Sequence, residues 1–150
     1  MSFQSATNKI PELASSYQAG LGAVKKTDRE KISAKNPRAI TGSIDLDASL
    51  SKTFPNDNRW DYGIGYKKNG DETIHWIEVH PASAGEVKVI IAKSKWLLDW
   101  LRNSGQPLKG FHSKIIWISS GTTSISPVAP QRKILAQNGI ELAGGHYSLC

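Results

Sequence analysis

The sequence predicts an α/β fold, a mixed central sheet flanked by helices, in the approximate order αβββαβαβ. Three observations predict the α/β class: two strand-like runs meeting at Asn69-Gly70, an amphipathic run over 87–101, and the continuous apolar segment 114–118. The chain has 150 residues, 39% hydrophobic and 21% charged. That suits a single domain over 1–150, with a helical N-terminal part over 1–42 and the core over 43–150.

In the first part, Ile10, Leu13, Tyr17 and Leu21 have helical spacing, interrupted by Gly20 and Gly22. A second helix is expected over 27–34, where Thr27-Asp28-Arg29-Glu30 reads as a capping box and Asn36-Pro37 as the stop. Residues 43–47 alternate polar and apolar, which predicts a half-buried strand, and 49–58 reads as a loop containing Pro55. The runs 60–66 and 73–80 form a hairpin, because both central residues of a type I′ turn need positive φ and Asn-Gly supplies them.

Ser83-Ala84-Gly85-Glu86 reads as the capping box of the next helix. Val87, Ile90, Ile91, Ser94, Leu97, Leu98 and Leu101 share one face of it, and Lys88, Lys95, Asp99 and Arg102 lie on the other side. Asn103-Ser104-Gly105 ends it. Segment 114–118 is a strand buried on both faces, 128–137 a short helix, and 140–142 a last strand. A hairpin followed by strand–helix alternation gives the mixed sheet.

With a two-residue turn, Lys68 pairs with Asp71 and every paired sum is 139, so Asp61 falls opposite Glu78 and Arg59 opposite His80. Asp61, Glu78 and His80 then share a face, with Gly63 across from Trp76 and Gly65 across from Ile74. Opposed carboxylates repel. Such a pair persists when a cation binds between them, when one is protonated, or when both are well solvated. Oxygen ligands from two strands suit Mg²⁺ or Mn²⁺, which take one or two carboxylates and keep several waters. A metal held there activates water and polarises a phosphate.

An acid at the start of one hairpin strand and a Glu-x-Lys-like element on the next resemble the PD-(D/E)XK nuclease superfamily, and the resemblance implies its αβββαβ, restriction endonuclease-like core. Here they are Asp61, within Arg59-Trp60-Asp61-Tyr62, and Glu78-Val79-His80, in a resemblance spanning roughly 43–142. It implies metal-dependent phosphodiester hydrolysis on DNA or RNA: a hydrolase that binds nucleic acid, with Asp61 and Glu78 as metal ligands. The chain departs from the pattern in placing His80 at the lysine position and Trp60 before the acid. Some members carry the lysine on the following helix, where Lys88 or Lys93 would serve, and an optional acid on the first helix, where Glu30 would stand. A lost lysine also suits a catalytically inactive binding module on the same fold, an immunity or regulatory protein.

Each residue has a plainer reading. Asp61 and Glu78 can be solvent-facing strand acids, and His80 can simply hydrogen-bond near the strand end before Pro81. Glu86 is accounted for by helix capping, and Trp96 and Trp100, at i and i+4, by the core. Lys93 beside those tryptophans also admits a single-strand binder without catalysis. His75, His112 and His146 form no metal motif, and 119–124 lacks the Gly-Lys-Ser/Thr ending of a phosphate loop.

A formal net charge of +6 favours an acidic partner, with nucleic acid the commonest and lysines clustered at 25–26 and 67–68. No stretch approaches the roughly 18 uninterrupted apolar residues of a spanning helix. Residues 1–6 lack a signal-peptide pattern. Cys150 is the one cysteine, which excludes an internal disulfide or a structural zinc site. A reducing, cytoplasmic setting without membrane contact is expected.

Overall fold

The computed structural model describes residues 1–126 and 128–150. Its centre is the hairpin of β3 (Tyr62–Lys68) and β4 (Asp71–His80). Asn69 and Gly70 take φ of 53° and 84°, the positive values a type I′ turn needs. The register is as expected from that turn, from Lys68↔Asp71 out to Tyr62↔Ile77. Gly63 lies opposite Trp76 because the indole occupies the space above it: a Cβ on Gly63 would stand 2.6 Å from the Trp76 ring.

β2 (Ile40–Asp45) adds antiparallel to β3. Beyond β4, helix α4 (Val87–Arg102) crosses over to β5 (His112–Ser119), which runs parallel to β4. A further helix, α5 (Pro130–Gln137), leads to β6 (Ile140–Leu142), parallel to β5. The five-stranded sheet is therefore mixed, in the order β2-β3-β4-β5-β6, and flanked by helices: an α/β fold.

The alternation of β4 separates two cores. Ile74 and Trp76 pack with Val87, Ile90, Leu97 and Trp100 of α4 and with Phe3 and Ala6 of α1 (Phe3–Asn8). Ile77 packs on the opposite face with Val24, Ile32, Tyr147 and Leu149. That second face is covered in part by a small parallel sheet of β1 (Ile32–Ala34) and β7 (Tyr147–Leu149).

Four expectations are corrected. The helix over 27–34 shrinks to α2 (Lys26–Arg29), with Lys25 rather than Thr27 at its N-cap. Residues 32–34 pair with β7 instead, because burying Ile32 in the second core outweighs a weak local helix signal. The 1–42 part is thus only partly helical. Near Leu13, the spaced apolar residues give one 3₁₀ turn, Pro11–Leu13, with Pro11 at its start.

The strand expected to reach Asp47 ends at Asp45, whose carboxylate accepts from Ala48 N–H and caps α3 (Leu46–Leu50). The Ser83 capping box is absent, since a 3₁₀ turn, Ala84–Glu86, precedes α4 and Ser83 makes no side-chain cap. No helix among the described residues is long and apolar enough to cross a membrane.

Candidate functional site

The site forms where the β3–β4 ladder stops. The last paired residues are Tyr62 and Ile77, and one step further the pairing passes to side chains. Asp61 N–H donates to Glu78 Oε1 at 3.2 Å, and Val79 N–H donates to Asp61 Oδ2 at 3.0 Å. Each carboxylate takes the place of a ladder carbonyl for the opposite strand, so backbone donors hold both acids in position. The main chain of Asp61 is fixed as well, its carbonyl accepting from Leu46 N–H at 2.9 Å. Asp61 and Glu78 are therefore brought together as the two-residue turn requires.

Arg59 is not opposite His80. The ladder has ended, and its guanidinium instead ties down the preceding loop, donating to the Asp47 carbonyl at 3.1 Å and the Phe54 carbonyl at 2.6 Å.

Helix α4 supplies the counter-charge. Lys93 Nζ pairs with Glu78 Oε2, while Lys88 is exposed, with no salt bridge among the described residues. The helix phase selects between the two lysines: Lys93 lies one position before buried Ser94, on the edge of the face turned to the sheet. His80 sits at the end of β4 with Nδ1 3.6 Å from Glu78 Oε2 and Nε2 2.7 Å from Glu86 Oε2.

Sequence reasoning assigned Glu86 to capping and so missed it as the partner of His80. The available signal was its position six residues beyond His80, across the strand-to-helix turn. The first-helix acid also differs. Glu30 is exposed at the end of α2, whereas the Asp28 carboxylate accepts the Tyr62 hydroxyl at 2.6 Å.

Burial dominates the electrostatics. Glu78 is 1% exposed, and loss of water pushes its carboxyl up to about 8, helped by the Asp61 charge and opposed by Lys93. Burial raises Asp61 to about 6, with Lys93 and the Val79 N–H pulling the other way and the charges of Asp47 and Asp28 adding to the rise. Both acids hold a proton more tightly than free carboxyls do, chiefly because burial disfavours the charged form.

The donor set bears on which cation fits. Asp61 Oδ1 accepts no hydrogen bond among the described residues, and both acids offer hard oxygen atoms. No group of three or more His, Cys, Asp or Glu side chains converges among the described residues. Two carboxylates suit Mg²⁺ or Mn²⁺, which complete their shells with water, rather than Zn²⁺, which wants four protein or substrate ligands. Comparison with protein families, with curated proteins and with solved structures found no match to this chain.

Proposed function

We propose that this chain is a nuclease-like domain of the PD-(D/E)XK kind, hydrolysing phosphodiesters in DNA or RNA with a divalent metal. The observation that carries the reading is the buried Asp61–Glu78 pair with Lys93 joined to it from α4. The strand and helix order around the pair, β3-β4-α4-β5, supports it, as does the net charge of +6, which attracts a polyanion.

Asp61 and Glu78 would hold Mg²⁺ or Mn²⁺. Bound there, the metal supplies a Lewis acid and a water of lowered pKa. Lys93, which pairs with Glu78 from α4, would neutralise charge developing on the phosphate oxygens. His80, anchored by Glu86, orients water at the open side of the site.

The test is cleavage of single- and double-stranded DNA and RNA with Mn²⁺, together with thermal melting. Asp61→Asn, Glu78→Gln and Lys93→Met should each lose about 100-fold or more in rate. Mn²⁺ should raise the melting temperature of the wild type and not of Asp61→Asn. Cleavage unchanged in the two carboxylate variants would remove this site from the reaction.

A second reading, a catalytically inactive binding module on the same scaffold, rests on one observation. Both Glu78 oxygens are already engaged, by Asp61 N–H and by Lys93, as an internal ion pair would have them. Absence of both cleavage and a Mn²⁺ melting shift, with a specific protein captured, selects it.

A further inference from the structure

A separate concavity of about 390 Å³ lies between the loop after α3 and the C-terminal half of α4. Its walls are aromatic and its polar groups are acidic. Phe54 and Trp96 meet edge to face, with centroids 6.1 Å apart and planes at 80°, while Trp96 and Trp100 lie parallel within 9° at 6.2 Å. Asp57, Asp99, Asn103 and Ser104 complete the lining. Both carboxylates are exposed, and no Lys or Arg lines the space.

We propose that this pocket receives a guanidinium group, the side chain of an arginine displayed by a protein partner. Two perpendicular ring planes offer π faces to a flat cation, and carboxylates at the rim take its N–H donors. Asp57 has a further part. It accepts the Trp96 Nε1–H at 2.9 Å, which fixes the indole plane and draws electron density into the ring, strengthening its attraction for a cation. A lysine ammonium would gain the charge attraction without the stacking. A nucleobase would stack, but its phosphate would approach the like-charged carboxylates of Asp57 and Asp99.

Arg102 gives an internal measure of the same chemistry, its guanidinium lying 3.1 Å from Asp99 Oδ1 on the exposed surface. That contact competes for one of the two carboxylates. The inference is independent of the hydrolytic reading, since it uses none of Asp61, Glu78, His80 or Lys93.

The experiment follows the five Trp indole N–H resonances of the full chain. The probes are acetyl-arginine-amide, its uncharged isostere acetyl-citrulline-amide, acetyl-lysine-amide with a free ammonium, and cytidine monophosphate. The arginine probe should move the Trp96 resonance saturably at about 1 mM to tens of millimolar, the affinity of a single stacked and paired group. Citrulline should bind about tenfold more weakly, with lysine intermediate.

Asp57→Asn and Asp99→Asn should each weaken arginine several-fold, and Arg102→Ala, which frees Asp99, should tighten it. Unchanged resonances elsewhere establish that each variant is folded. No saturable shift with arginine, equal binding of citrulline, tighter binding of the nucleotide, or no gain in Arg102→Ala would each overturn the proposal.

Discussion

His75 and Glu78, an odd number of residues apart on β4, bury titratable groups on opposite faces of one sheet, and the two faces resolve the same problem differently. Glu78 points to the helix side and is met by a cation, Lys93. His75 points to the other side and is met by a neutral phenol, with Nδ1 3.0 Å from the Tyr147 hydroxyl and Nε2 buried without a hydrogen-bond partner among the described residues. Burial lowers His75 to about 4, with the Lys114 charge adding to the effect, while it raises Glu78 to about 8. A site kept neutral is a packing solution. One that gathers two acids and an ammonium keeps charged groups together beneath the surface, and that contrast separates the candidate site from the core.

The contrast breaks hardest at Lys93. Lys93→Met leaves Glu78 without its counter-charge and should cost about 3 kcal/mol in urea unfolding at about pH 10, about two units above the folded pKa of about 8. The loss should shrink near pH 5, where the carboxyl is protonated in the folded state and carries no uncompensated charge. An equal loss at both pH values would mean that Lys93 acts through packing of its stem alone.

The two faces also predict opposite pH slopes. The Glu78 carboxyl has a folded pKa above its unfolded 4.5, so its contribution is fully present below about pH 4.5 and fades as pH rises through about 8. His75 has a folded pKa below its unfolded 6.5, so its contribution is fully present above about pH 6.5 and fades as pH falls through about 4. His75→Phe should therefore remove an acid-side loss of roughly 3 kcal/mol between those limits, read from denaturation midpoints at several pH values. An unaltered acid limb would show that His75 is protonated in the folded protein.

The smallest effect sharpens the division within the site itself. Glu86, whose side chain is 36% exposed, holds His80 in a solvent-screened contact. Glu86→Gln should change stability by less than about 1 kcal/mol. If His80 orients water, the same variant should shift the pH profile of cleavage while leaving the unfolding curve in place. A stability loss comparable to that of Lys93→Met would mean that the His80–Glu86 contact belongs to the core.

The legible parts of this fold were those whose cause lies within a few residues. Asn69-Gly70 carries its own backbone preference, so the register of β3 and β4, and with it the meeting of Asp61 and Glu78, could be read directly. The repeat of apolar residues along α4 announced which face it buries, and Trp100 lies in the core as read; the exception is Leu98, placed on the same stripe but exposed. The illegible parts joined distant segments. β1 pairs with β7 across more than a hundred residues, and the local sequence over 27–34 pointed to a helix instead. Glu86 looked like a cap because capping is a local pattern, whereas its contact with His80 depends on how the strand turns into α4.

From the order of its residues alone, the chain determined one hairpin register, one long amphipathic helix and the meeting of two acids, because turn angles and side-chain periodicity are short-range properties. Tertiary packing decided that Lys93 and not Lys88 meets Glu78, that Asp28 and not Glu30 lies beside Tyr62, and that Arg59 braces the loop. Those choices depend on how helices and loops dock against the sheet, where a rotation of one residue step along a helix exchanges a buried partner for a solvated one.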